Sequence, residues 1–258
     1  MTEKPIMING FPRSGTTYLS RYLEWLYGRV VYEPLATPKG TIKRIPELAK
    51  WFSYYHPYLT DPSVNTTLWF FHNEETLRKF MEGLRGYPIK ETTLHRFLGK
   101  DWIKEHWDVY HIIRDPVSVY HSFKNLFHSG TTYGKYLRIG EKLGIIAKLL
   151  QPLDPLAKMA KVYSVIRNIP RPSSLQGWFL MVWTFSNIEA IEAVGEDKLI
   201  IYNKEESFYK LPRFTEFIKN NPLRIRVYDD TKLENLFLKI AREHGFEREY
   251  SRLLDLFE

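Results

Sequence analysis

Apolar residues in this chain follow two alternating rhythms. Short continuous runs (Ile6-Met7-Ile8, Val30-Val31-Tyr32, Asp108 to Ile113 and Lys198 to Tyr202) have the length and flanks of buried strands. Between them apolar positions recur every three or four residues. Leu19, Tyr22, Leu23 and Leu26 form one such stripe, and Leu175, Trp178, Val182, Phe185, Ile188 and Ile191 form another inside a buried helix over 174–194. A helix is predicted from Asn73 to Leu84, with Asn73 as N-cap and Glu74 and Glu75 in its first turn. Pro116 opens another, with Val119 and Phe123 on one face and Ser118 and Ser122 nearby. Two more close the chain, over about 231–243 and 247–257. Tyr87-Pro88-Ile89-Lys90 reads as the end of a central strand that delivers Glu91-Thr92-Thr93-Leu94-His95 to a cleft. The pattern predicts an α/β protein with helices flanking a mainly parallel sheet.

Two stretches are less regular. Residues 37–72 are aromatic (Trp51, Phe52, Tyr54, Tyr55, Tyr58, Trp69, Phe70, Phe71), interrupted by Pro57 and Pro62, and read as irregular core or lid packing. Residues 124–171 carry nine Lys/Arg against two acids, with helical patterns broken at Gly130, Gly134, Pro152, Pro155 and Pro170. Solvated helix faces covering the sheet account for them, and so does a basic lid or acceptor platform. The expected organisation is one domain over 1–258, with about 124–173 a basic helical insert or lid.

At 258 residues the chain can bury a sizeable core. Its net charge of +7 suits an anionic partner, for which a nucleotide is enough. No zinc-ligand spacing, RNP-like motif or basic heptad points to nucleic acid. No cysteine is present, which excludes a disulfide framework and thiolate metal sites. Without a signal pattern or a long uncharged apolar run, the expectation is a soluble, cytoplasmic protein with no membrane span.

The densest chemistry follows the first strand. Asn9-Gly10-Phe11-Pro12-Arg13-Ser14-Gly15-Thr16-Thr17 runs from strand through a glycine-bearing loop into a helix. That geometry gathers unpaired N–H groups and the positive end of a helix dipole on one anion. The spacing Gly10-x4-Gly15-Thr16-Thr17 mimics a P-loop with Thr16 where the lysine belongs. Arg13 supplies the cation instead, as a fork able to take two oxygens of a phosphate or sulfate.

Pro12-Arg13-Ser14-Gly15-Thr16-Thr17 resembles the 5′-phosphosulfate loop, P-[KR]-S-G-[ST]-[ST], of sulfotransferases that use 3′-phosphoadenosine 5′-phosphosulfate (PAPS). Arg114-Asp115-Pro116 with Ser122 resembles the same family's 3′-phosphate motif, R-D-P-x5-S, in the expected order and about a hundred residues later. Asp115 as a plain helix cap is the structural explanation of that triplet. The resemblance covers roughly 5–34, 86–125 and 174–210. It implies a three-layer α/β/α fold of P-loop NTPase-like topology and sulfuryl transfer from PAPS to a hydroxyl or amine. Carbohydrate and tyrosine or phenol acceptors lead, the product nucleotide is 3′-phosphoadenosine 5′-phosphate (PAP), and no metal is required.

The resemblance also distributes roles. Arg13, Ser14, Gly15, Thr16 and Thr17 would hold the phosphosulfate, Arg114 and Ser122 the 3′-phosphate, and Tyr202 the adenine. The match at Tyr202 is partial, since Asn203-Lys204 follows where the family has Glu-Asp. The family's spacing puts Lys90 on the lysine that binds the transferring group and Thr92 on the histidine base of cytosolic members, so that base is absent and His95 lies three residues too late. Glu33, at a strand end before Pro34, stands where carbohydrate and tyrosyl-protein types carry a glutamate base; Glu91 is the second candidate. The late R-x-G segment of the family is not found. Two other classes stay open: a P-loop phosphotransferase with an altered loop, and a non-catalytic nucleotide- or polyanion-binding protein.

Overall fold

The computed structural model describes residues 4–35, 45–59, 74–128 and 155–258. Its elements divide into two compact units, one made of residues up to Ile113 together with Ser186–Ile225, the other of Arg114–Phe185 and Arg226–Glu258.

The first unit holds a five-stranded sheet, parallel at every pairing: β1 (Ile6–Gly10), β2 (Val31–Tyr32), β3 (Ile89–Glu91), β4 (Asp108–Ile113) and β5 (Leu199–Ile201), in the order β2-β3-β1-β4-β5. Successive side chains take opposite faces. Ile6 and Ile8 join Tyr110, Ile112 and Ile200 beneath α1 (Thr16–Tyr27) and α8 (Phe214–Asn220). Met7 joins Val31, Ile89 and Val109 under α2 (Ala49–Leu59) and α3 (Glu74–Glu82). Both faces of the sheet are covered, so its strands read as continuous apolar runs rather than alternating ones. This is the expected α/β/α layering and P-loop-like topology. β1 sits at the centre. Its connection runs to β2 on one side, while that of β4 runs to β5 on the other, a reversal that opens a crevice at the carboxyl ends of the strands.

The same unit contains the short α4 (Asp101–Lys104) and the last part of α7 (Leu175–Val194). The second unit contains α5 (Pro116–His128), α6 (Pro155–Arg167), the first part of α7, α9 (Thr231–Glu243) and α10 (Glu247–Leu254). Its interior is aromatic: Tyr120 meets the edges of Phe179 and Phe237, and Phe185 lies between Tyr163 and Phe246.

Three expectations change. Residues 49–59, read as irregular, form α2, in which Phe52 packs on Phe80 and the Trp51 indole donates to the Phe80 carbonyl (3.1 Å). The period was present in Leu48/Phe52 and Trp51/Tyr55, but the nearby prolines obscured it. Pro155, where the helical pattern was expected to break, opens α6, as its missing N–H and fixed φ allow. Helix α8 was not anticipated, and α10 stops at Leu254, short of 257. The expected N-cap Asn73 and residues 129–154 of the basic stretch lie outside the described residues. Among the described residues no helix is long and apolar enough to cross a membrane.

Candidate functional site

The carboxyl ends of β1, β2, β3 and β5 carry the residues singled out above. After β1 the chain turns through Phe11–Ser14, closed by the Ser14 N–H donating to the Phe11 carbonyl (3.0 Å), with Arg13 at φ 75°. Gly15 follows at φ 93° and opens α1. No side chain caps that helix, and its first turn holds no acid. The Thr16 and Thr17 N–H groups therefore have no intrahelical acceptor. Ser14 is fully buried and its hydroxyl has no hydrogen-bond partner among the described residues. Arg13 and Thr17 are exposed; Thr16 is buried.

Both loop glycines are required. A Cβ on Gly10 would lie 2.8 Å from the Ile112 carbonyl and the Thr16 methyl. A Cβ on Gly15 would overlap the Tyr202 ring, in a backbone region that L side chains rarely adopt. The structure thus places Tyr202, one residue past β5, against the glycine at the helix start. Its N–H donates to the Ile113 carbonyl (2.9 Å) and its hydroxyl to the Arg224 carbonyl (3.2 Å).

Lys90 and Glu33 come together. Lys90 shares the sheet face of Ile8, its register partner, and hence the face covered by α1. Its ammonium is buried, donates to the Glu33 carboxylate and lies 4.5 Å from the centre of the Tyr32 ring. The Glu33 N–H in turn donates to the Lys90 carbonyl (2.7 Å), and Glu33 adopts φ 44°. Among the described residues four non-glycine positions have positive φ, and two are Arg13 and Glu33, both named by the sequence.

Glu91 faces the opposite way and is fully buried. One of its oxygens accepts from the Leu35 N–H (3.0 Å), the other from the Thr92 N–H (2.6 Å) and the Thr93 hydroxyl (3.0 Å). Burial pushes its carboxyl up to about 7; the Thr92 N–H opposes this, Glu33 adds to it, and Leu35 and Lys90 oppose it.

Behind Glu91 lies a polar chain that sequence reasoning missed. Asn9 accepts from the Leu94 N–H (3.3 Å), which orients its amide so that Nδ2 donates to Nδ1 of His95 (3.0 Å) and of His111 (3.2 Å). Both imidazoles then carry their proton on Nε2, and His111 donates from it to Asn187 (2.9 Å). Burial holds both rings neutral, His95 well below the usual range, with His111 adding to the effect, and His111 down to about 4. His95 is thus buried and held by Asn9. The available signal was a polar residue inside each of two apolar strands, Asn9 and His111, which face each other in register.

The second unit holds Arg114 and Ser122. Asp115 N-caps α5 through the Ser118 N–H (2.7 Å), the structural role anticipated for it. Arg114 is buried and donates to the Arg226 carbonyl. The Ser118 hydroxyl accepts from the Tyr228 N–H (2.9 Å), and His121 pairs with Asp230 (2.9 Å) while stacking on Tyr228. Every second residue of 226–230 thus meets positions 114, 118 and 121, an extended strap along α5. Ser122 is half-buried on that helix.

No protein-family model and no curated protein matches this chain. Among solved structures, a sulfotransferase from Alicyclobacillus acidocaldarius aligns over 99% of this chain and 96% of its own, at 12% identity and a TM-score of 0.40.

Proposed function

We propose that this chain transfers a sulfuryl group from PAPS to an acceptor hydroxyl or amine. The observation that carries the reading is the loop after β1: an uncapped helix start, a buried Ser14 hydroxyl without a partner, and Arg13 in a left-handed turn beside them. A buried hydroxyl and first-turn N–H groups without acceptors favour an anion. The motif Pro12-Arg13-Ser14-Gly15-Thr16-Thr17 supplies the identity of that anion as a phosphosulfate. Thr16, Thr17 and Lys90 complete the set that holds it. Arg114 and Ser122 would take the 3′-phosphate, and Tyr202 the adenine; these assignments rest on the sequence motifs.

In the reaction the acceptor oxygen attacks sulfur, the bond from sulfur to the 5′-phosphate oxygen breaks, and its electron pair stays on the phosphate. Arg13, the loop N–H groups and Lys90 stabilise that charge. Glu33 takes the acceptor's proton, a contribution of ~10²–10⁴-fold. Carbohydrate and tyrosine or phenol acceptors fit a glutamate base.

Thermal unfolding with PAP against AMP and ATP tests the reading. At about 100 times its dissociation constant PAP stabilises by roughly 2.7 kcal/mol. For a chain of this size that is a rise of several degrees. A rise with PAP and none with AMP supports it; no rise, or one with ATP alone, overturns it in favour of a phosphotransferase. Glu33→Gln should keep the PAP response and lose turnover.

A further inference from the structure

We propose that Glu91 is a positioning residue for Glu33: its hydrogen bonds hold the turn that carries the base, and Glu91 itself never meets the acceptor. The inference rests on the reading of Glu33 given above and adds how that side chain is aimed.

The turn after β2 needs such a holder. Glu33 sits at φ 44°, where a residue with a Cβ is strained, and such a conformation persists when its surroundings over-determine it. Pro34 offers no N–H. The next donor is Leu35 N–H, and Glu91 takes it at 3.0 Å. On the other side Lys90 accepts the Glu33 N–H through its carbonyl and pairs with the Glu33 carboxylate. Consecutive residues of β3, on opposite faces of the sheet, therefore grip positions 33 and 35 of one turn. Glu91 is in turn fixed by the Thr92 N–H and the Thr93 hydroxyl. With three donors on its two oxygens and no exposure, it has no path to an acceptor. That excludes it as the base and explains its presence, since a buried carboxylate persists when donors satisfy it.

Protonation of Glu91 puts a hydrogen on an oxygen that must keep accepting, so the grip loosens as pH falls. Its carboxyl titrates at about 7, with Glu33 and Lys90 the charged neighbours acting on it. The aim of Glu33 should then slacken below about pH 7.

The test combines a geometric with a kinetic readout on the full chain. In Glu91→Gln, amide hydrogen exchange at Leu35 should accelerate relative to wild type at pH 8, because an amide cannot accept at both oxygen positions. Transfer from PAPS to a phenolic probe, 2-naphthol, should show kcat reduced about 10–100-fold, as small misplacement of a reacting group can cause. KM for PAPS should be unchanged, and the loss of kcat expected of wild type below about pH 7 should vanish. Thr93→Val removes one donor and keeps the carboxylate. It should lower kcat a few-fold and move that loss to higher pH, since an ionised group has lost a hydrogen bond. It also serves where Glu91→Gln does not fold. Unchanged exchange at Leu35 overturns the proposal whatever the activity. Complete loss of turnover in Glu91→Gln with activity retained in Glu33→Gln overturns it too and makes Glu91 the base. Failure of PAP to bind wild type would instead overturn the sulfotransferase reading, while the exchange result still decides the grip.

Discussion

Among the described residues, four non-glycine positions have positive φ, and two of them lie at the candidate site. Arg13 and Glu33 adopt left-handed backbone at the ends of β1 and β2, with Gly15 two residues on from Arg13. Gly15 is the sharpest case, because two independent costs meet there. Left-handed backbone costs a residue with a Cβ about 1–2 kcal/mol, and overlap with a packed ring adds a similar amount. Gly15→Ala should therefore destabilise the protein by roughly 2–4 kcal/mol in urea unfolding and weaken PAP binding, since the N–H groups of the helix start would shift. Tyr202→Ala in the same background removes the ring from the Cβ position and leaves the backbone strain. It should recover about half of the loss. No recovery would mean that the Tyr202 ring is not what restricts position 15.

At the scale of elements, α5 and the strap show what packing adds to propensity. Asp230 does two jobs: it caps α9 through the Leu233 N–H (3.1 Å) and accepts from His121. Asp230→Ala should cost about 1 kcal/mol from the cap, with the lost His121 contact adding to it. Asp230→Asn should keep the cap and lose less; equal losses in urea unfolding would refute the separate cap. The strap itself was invisible in the sequence. Arg226, Tyr228 and Asp230 lie about a hundred residues from the helix they meet, and no local period marks them. By contrast, all five strands and the loop after β1 were legible. Parallel strands buried on both faces leave continuous apolar runs, and the phosphate-type loop needs its glycines at fixed spacing. Helix α2 was missed because Pro57 and dense aromatics mask a stripe that tertiary contacts with Phe80 complete. At the site, Glu33 and Lys90 were each named in advance, but their pairing was not. It depends on the buried Lys90 side chain of β3 reaching the carboxylate in the turn after β2, a contact between residues 57 apart that no local pattern marks.

Among the described residues, buried Glu91, His95 and His111 have pH effects that oppose one another, and their signs set a stability profile. Glu91 binds its proton more tightly folded than unfolded, so between about pH 4.5 and 7 it takes away stability as pH rises, by at most about 1.4 kcal/mol per unit. His95 and His111 are held neutral in the fold. Below about 6.5 the unfolded chain gains protons that the folded one refuses, and stability is lost as pH falls through that window. Two histidines outweigh one carboxyl, so these groups give a net gain of about 1 kcal/mol per unit on going from pH 4.5 to 6.5. Above 6.5 the histidines' contribution fades, and near pH 7 it is matched by what Glu91 still subtracts. The three together place a maximum near pH 7. Urea unfolding of wild type and Glu91→Gln across pH 4.5–8 separates the two contributions. The variant should rise more steeply and level off above about 7, having lost the group that subtracts between about 4.5 and 7. Parallel curves would show that Glu91 keeps one protonation state across the range. The pH dependence predicted for the grip on Glu33 would then have no titrating group behind it.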